Sequence, residues 1–239
     1  TWSLLLPLTH IAAVNVLVRS LELGTIPVNL VGHIGEYPKV DYTAIVPTQL
    51  YNALTGDDHL LKHLQSAKGV LVGGAALTSE LHTQATNAGI TVVTTYGMSE
   101  TSGGCVYNGV PLEGVQVAIS DAGFIKVSGP VLASNLDLDA QNWFVTSDRG
   151  ELVDGHLIVL GRGDDVIISG GENISLIEIE NAISQTFSNF EFAAFAVSSE
   201  KWGQELHIAA VNAPAEFSER VEALLVKKFG NAAKPKRFH

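Results

Sequence analysis

The chain has 239 residues, 46% of them hydrophobic and 16% charged, which is enough apolar material for one large or two modest domains with real cores. Its formal net charge of −11 sets the surface against phosphate backbones and so argues for no nucleic-acid partner, although backbone N–H groups and an Arg can still hold one nucleotide locally. The single cysteine, Cys105, excludes an intrachain disulfide and a Cys-rich metal site. No apolar run reaches the roughly 18–20 residues of a membrane span, and no charged segment leads into an apolar one as in a signal peptide, so the expected location is the cytoplasm. The opening, Thr1-Trp2-Ser3 straight into Leu4-Leu5-Leu6 without an initiator Met, reads as a strand already under way. The close, Lys234 to His239, reads as cut in mid-course, so a fragment at both ends is expected.

In chain order, short apolar strands alternate with helical stretches over the first hundred residues. Strands are predicted at Ser3–Leu6, Thr43–Val46, Gly69–Val72 and Thr91–Thr95. Between them lie Ile11–Leu23, broken by Asn15, Arg19 and Glu22 and read as a buried helix, a helical region over Gln49–Leu64, and Thr78–Ala88 with Thr78 as N-cap and Gly89 just past its end. Such alternation predicts an α/β domain with a mostly parallel sheet. Residues 106–160 then read as an antiparallel β subdomain. Val115, Val117 and Ile119 alternate, Asp121-Ala122-Gly123 turns into Phe124–Val127, and Asp154-Gly155 joins two apolar runs as a two-residue hairpin loop. Gly161-Arg162-Gly163 marks a boundary. Beyond it come a strand at Asp165–Ser169, a helix opened by the capping-box pattern at Ser175–Glu178, strands at Phe192–Val197 and Leu206–Val211, and a helix at Ser218–Phe229 stopped by Gly230. The second part is a small α+β unit.

Four segments could carry chemistry, and each has a plainer reading. Gly73-Gly74-Ala75-Ala76 follows an apolar strand, where small residues let a flat ligand approach the backbone, or simply make a tight turn. Tyr96-Gly97-Met98-Ser99-Glu100-Thr101 places hydroxyls and a carboxylate at another strand end, suited to phosphate oxygens and a hard cation, or makes a polar loop. Asp148 can accept two hydrogen bonds from vicinal ribose hydroxyls, or pair with Arg149 or sit in a solvated turn. Arg162 to Ser175, with Asp164, Asp165, Gly170 and Gly171, has the glycines and exchangeable charges of a hinge, or of a linker.

Together, the order and spacing of these segments resemble the adenylate-forming superfamily of acyl-CoA synthetases, luciferases and peptide-synthetase adenylation domains. Gly73-Gly74-Ala75 is similar to its adenine-contacting glycine motif, and Tyr96–Glu100 to its aromatic-Gly-x-Ser/Thr-Glu motif. Ser147-Asp148 stands where the family has Thr-Gly-Asp, Arg162–Glu180 follows its hinge motif, and Pro7-Leu8-Thr9-His10 resembles the segment leading to the acyl pocket. Within the superfamily the run Thr94–Gly109, with Leu6–His10 and Val16–Ser20, is most similar to o-succinylbenzoate–CoA ligases of menaquinone biosynthesis. The family's phosphate loop ending in Pro-Lys-Gly and its C-terminal lysine are not in the chain, which by itself is expected to be inactive or weakly active.

The resemblance implies an AMP-forming acid–thiol ligase that converts o-succinylbenzoate, through an acyl-adenylate, to its CoA thioester. The alternatives are another aryl- or acyl-CoA synthetase, an amino-acid adenylation domain, or a nucleotide-binding module without catalysis. It implies ATP, Mg²⁺, coenzyme A and a small carboxylic acid as ligands. Residues 1–162 would be part of the large domain and residues 163–239 a C-terminal lid hinged near Asp164. By the same resemblance Glu100 would bind Mg²⁺, and Ser99 and Thr101 would line the α-phosphate region. Gly73, Gly74, Ala75, Tyr96 and Gly97 would flank the adenine, Asp148 and Arg162 would serve the ribose, Gly170 and Gly171 would border the pantetheine path, and His10 the acyl pocket. Trp202 and Phe238 are read as exposed, on surfaces that further chain or a second copy, as in a homodimer, would cover.

Overall fold

Apolar runs too short for helices, each followed by a helical stretch, are best buried side by side in a sheet with helices on its faces. The computed structural model adopts this arrangement and describes residues 1–169, 171–187, 191–199 and 202–239, with the backbone alone at Asp164. Its first elements are β1 (Trp2–Leu4), α1 (Ile11–Glu22), β2 (Val28–Asn29), β3 (Tyr42–Ile45), α2 (Pro47–Thr55), α3 (Asp58–Ser66), β4 (Gly69–Val72), α4 (Ser79–Asn87), β5 (Val92–Met98), β6 (Gly103–Tyr107) and β7 (Val110–Pro111). The sheet runs β2-β1-β3-β4-β5-β6-β7. Its first five strands are parallel, and β6 and β7 return antiparallel. The C-terminal ends of β1, β3, β4 and β5 therefore open on one edge, the edge where parallel sheets present their ligand-binding loops.

The period-2 alternation of a strand explains why both faces are covered. In β3, Ala44 joins Trp2, Leu4, Ala13 and Val16 on the α1 side. Its neighbour Ile45 joins Leu50, Leu64, Val70, Val72 and Ala85 on the opposite side. Two expectations need correction. Helix α1 is not buried throughout: Ala13, Val16 and Ser20 face the sheet, while Val18 and Leu21 are 47% and 76% exposed. Apolar content predicted the helix, but only one stripe of it meets the strands. The helical region over Gln49–Leu64 is two helices, parted at Gly56, with Asp57 accepting a hydrogen bond from the Leu60 amide to cap the second.

The chain continues through β8 (Gln116–Ile119), β9 (Phe124–Ser128), β10 (Phe144–Val153) and β11 (His156–Arg162), a sheet of order β11-β10-β9-β8. Asp154 and Gly155 both have positive φ, +50° and +79°, as a two-residue hairpin loop between twisted strands requires. Then come β12 (Val166–Ser169), β13 (Glu172–Ser175), α5 (Leu176–Ser184), β14 (Glu191–Ser199), β15 (Gly203–Val211), α6 (Phe217–Phe229) and β16 (Arg237–Phe238). The Ser175 hydroxyl caps α5 by accepting from the Glu178 amide.

The chain packs as two compact units, residues 1–146 with 151–158, and residues 147–150 with 159–239. The second has its own core of Ile167, Ile179, Ile183, Leu206, Ile208, Phe217, Val221 and Leu225. Trp202 and Phe238, read from sequence as exposed, are both half-buried. Lys236 lies 4.6 Å from the Trp202 ring centroid, and Phe238 packs against the core. Among the described residues, no helix is long and apolar enough to cross a membrane.

One polar cluster inside the first unit ties its stability to pH. His63 is 2% exposed, with Nδ1 3.0 Å from the Pro38 carbonyl and Nε2 3.0 Å from Ser3 Oγ, which in turn lies 2.8 Å from Thr43 Oγ1. A carbonyl can only accept, so Nδ1 carries the proton and the neutral ring accepts at Nε2. Burial lowers the His63 pKa from its ordinary value, against the opposing pull of the Pro38 hydrogen bond. The unfolded chain therefore takes up this proton first. The stabilisation is complete above the ordinary imidazole pKa of about 6.5 and drains away as the pH falls below it. Thermal midpoints followed by circular dichroism should drop as the pH is lowered from 7 through 5, and His63→Gln should flatten that drop.

Candidate functional site

In the first unit, the candidate residues sit where strands leave the sheet. His10 follows β1, is exposed, and occupies the N-cap position of α1. β4 runs into Gly73, where a Cβ would lie 2.1 Å from Thr95 Oγ1 and 2.9 Å from the Thr95 carbonyl oxygen on the neighbouring β5. Gly74 has φ +82° and Ala75 is exposed. Packing alone thus demands the glycine at 73 and the turn demands the one at 74. The same geometry leaves a bare stretch of backbone at the sheet edge, free of side chains beyond a methyl.

β5 carries the second segment. Tyr96 is half-buried and packs against a cluster containing Cys105, Val106, Val115, Ile125, Val127 and Leu157. At Gly97, next to a register shift between β5 and β6, a Cβ would fall 2.0 Å from the Gly103 carbonyl oxygen. The strand then ends in a 3-10 turn, Ser99–Thr101. Ser99 is exposed and Glu100 half-buried, with the Glu100 carbonyl accepting from the Ala133 amide at 2.9 Å. Thr101, expected to line the α-phosphate region, does not match that placement. It is 1% exposed, its hydroxyl donates to the Gly103 carbonyl at 2.8 Å, and its oxygen accepts from the Met98 amide at 2.9 Å. Its hydroxyl is committed to shaping the turn. His10, the Gly73–Ala75 turn and the Ser99–Glu100 turn therefore follow three strands of one parallel set and share one sheet edge.

The second unit holds the other candidates. Ser147 is exposed and Asp148 half-buried, both inside β10 rather than in a turn. Arg162 is exposed at the end of β11, and its backbone amide donates to Asp165 Oδ2 at 3.0 Å across a 3-10 turn at Gly163–Asp165. At Gly161, with φ +120°, a Cβ would meet Ile177 Cδ1 at 2.3 Å, so α5 closes on the backbone there. Gly171 is exposed with φ +89° in the short connection between β12 and β13. Gly170 and the Asp164 side chain lie outside the described residues. Glu180 accepts from the Ala194 amide at 2.8 Å, and burial raises its pKa.

Among the described residues, no group of three or more His, Cys, Asp or Glu side chains is placed to hold a metal ion. A hard cation on one carboxylate, completed by ligand phosphates and water, needs no such cage. Sequence reasoning missed the polar residues that brace the Glu100 turn, Asn15 and Ser102. The only signal for Asn15 was a polar residue interrupting an apolar helical run.

Residues 1–152 match the family described as AMP-binding enzyme. A Mycobacterium tuberculosis protein named "Probable 2-succinylbenzoate–CoA ligase" is 36% identical, over all of this chain and 69% of its own length. A 2-succinylbenzoate–CoA ligase of Listeria monocytogenes is 30% identical over 92% of this chain, which spans only 52% of that protein. Among solved structures, o-succinylbenzoate CoA synthetase from Bacillus subtilis in complex with the acyl-adenylate intermediate OSB-AMP is similar, with TM-score 0.80 and 25% identity over 99% of this chain and 56% of that one.

Gly73→Ala should cost about 1–3 kcal/mol, the usual range for forcing extra volume into a packed site. Urea denaturation followed by tryptophan fluorescence checks this, and Gly74→Ala, which meets only a side-chain methyl but sits at positive φ, should cost about 1 kcal/mol.

Proposed function

Because the chain belongs to the AMP-binding enzyme family, we propose that it is part of an ATP-dependent acid–CoA ligase, and that its acid is o-succinylbenzoate. What carries this reading is the 36% identity across the entire chain to a protein named for that activity. The glycine turn and the Ser99–Glu100 turn at one sheet edge agree with it. In the reaction, the acid's carboxylate attacks the α-phosphorus of ATP and expels pyrophosphate, and the coenzyme A thiol then attacks the resulting acyl-adenylate. Catalysis of this kind rests on positioning and charge neutralisation.

In this reading Glu100 holds Mg²⁺, which when bound neutralises charge developing on the phosphates. The exposed Ser99 hydroxyl donates to phosphate oxygens, and Thr101 keeps the turn in shape beneath it. The bare backbone of Gly73, Gly74 and Ala75 accepts the flat adenine, with Tyr96 and Gly97 alongside. Asp148 accepts from the ribose hydroxyls and Arg162 supports it. His10 borders the acyl pocket, and Gly170 and Gly171 flank the pantetheine arm. Residues 163–239 act as a lid on residues 1–162, pivoting near Asp164. The protein works in the cytoplasm, and a homodimer is compatible with it.

Three variants of the intact enzyme test these roles. Glu100→Ala should slow acid-dependent ATP–pyrophosphate exchange by ~10²–10³-fold, as for the loss of one electrostatic stabiliser; an unchanged rate removes Glu100 from the chemistry. Asp148→Ala should raise the apparent KM for ATP while leaving that for the acid alone. Asp164→Pro should slow thioester formation more than pyrophosphate exchange, because proline locks φ at the pivot.

A further inference from the structure

The turn that carries Glu100 is held from outside its own strand. Ser102, which follows it, is in the left-handed region at φ 55° and ψ 26°, a conformation that side chains other than Asn and Asp seldom take. Three contacts keep it there. Asn15 Nδ2, on helix α1, donates to the Ser102 carbonyl at 2.9 Å. The Ser102 hydroxyl donates to the Val131 carbonyl at 2.8 Å. The Ala133 amide donates to the Glu100 carbonyl at 2.9 Å.

Asn15 does more than form one hydrogen bond. A Cβ at Gly103 would lie 2.0 Å from Asn15 Nδ2, so the amide nitrogen fills the space that a side chain there would need. A Cβ at Gly97 would likewise lie 2.0 Å from the Gly103 carbonyl. Asn15, Gly103 and Gly97 thus form successive layers with no room for a methyl between them. One helical turn further along the same flank of α1, Arg19 donates to the hydroxyl of Tyr107, the last residue of β6, whose ring reaches back over Gly104. The helix therefore holds β6 through the Tyr107 side chain and, at its start, through the backbone of Ser102 that follows the Ser99–Thr101 turn.

We propose that Asn15 is a positioning residue, which fixes the Glu100 carboxylate by holding the Ser102 carbonyl in the left-handed turn. The proposal rests on the reading of Glu100 as the Mg²⁺ ligand. Ala is the best helix former, so Asn15→Ala keeps α1 while removing the donor. Asn15→Asp keeps the size and sets a carboxylate against a carbonyl. Two measurements on the intact enzyme decide it. Amide hydrogen exchange over residues 99–104 should be faster by about five- to tenfold in Asn15→Ala, as for the loss of one local hydrogen bond. The Mg²⁺ concentration for half-maximal pyrophosphate exchange should rise about tenfold, with the KM for ATP changed less than about twofold. Asn15→Asp should match or exceed both effects.

Unchanged hydrogen exchange overturns the clamp. Faster exchange with wild-type Mg²⁺ dependence reduces Asn15 to a structural staple and overturns its role toward Glu100. If the wild-type enzyme catalyses no pyrophosphate exchange with o-succinylbenzoate or any other acid, the functional reading falls, and hydrogen exchange alone then decides whether Asn15 holds the turn.

Discussion

The first unit depends on an approach between backbones that only glycine allows. β5 lies so close to the end of β4 that Gly73 sits against Thr95, and β6 crosses β5 so closely that Gly97 sits against Gly103. A single methyl at either glycine would meet backbone oxygen well inside contact distance. Because the strands close up in this way, the segments following β4 and β5 leave the sheet side by side. One is bare backbone and the other is a tight turn bearing a hydroxyl and a carboxylate. The chemistry proposed for this edge needs that contrast, a flat surface beside a polar one.

The second unit solves a similar problem with different means. Gly161 makes room for Ile177 of α5, and the Asp165 carboxylate stitches the turn back to the Arg162 amide. Its core of aliphatic side chains from β12, β15, α5 and α6 is separate from the clusters of the first unit. A small sheet with its own core can behave as a body, which is the physical requirement for the lid proposed here.

Much of this was legible in the residues. β4 falls at Gly69–Val72 as the apolar run indicates, Thr78 and Ser175 accept the hydrogen bonds that their positions as caps require, and Asp154-Gly155 turns as its dipeptide demands. These features are local, so propensity and period suffice. What escaped depends on neighbours distant in the chain. The apolar run of α1 did not reveal which stripe meets the sheet. Lys236, far along the chain, lies over the Trp202 ring. The inward hydroxyl of Thr101 has a target only after the turn brings Gly103 back beneath it. Asn15 looked like a flaw in an apolar helix, and its partner, the Ser102 carbonyl, lies 87 residues further along the chain.

Ser102 sets the thermodynamic interest of this turn against its purpose. Among the described residues, five non-glycines have positive φ, and the other four are Asn or Asp, whose side chains tolerate that backbone. Glycine at 102 would relax the peptide but release the tether to Val131; asparagine would suit the backbone but replace the hydroxyl. Either exchange would thus ease the backbone at 102 while giving up a tether of the turn that carries Glu100. In the role proposed for Glu100, the awkward serine gives up ease of folding for aim.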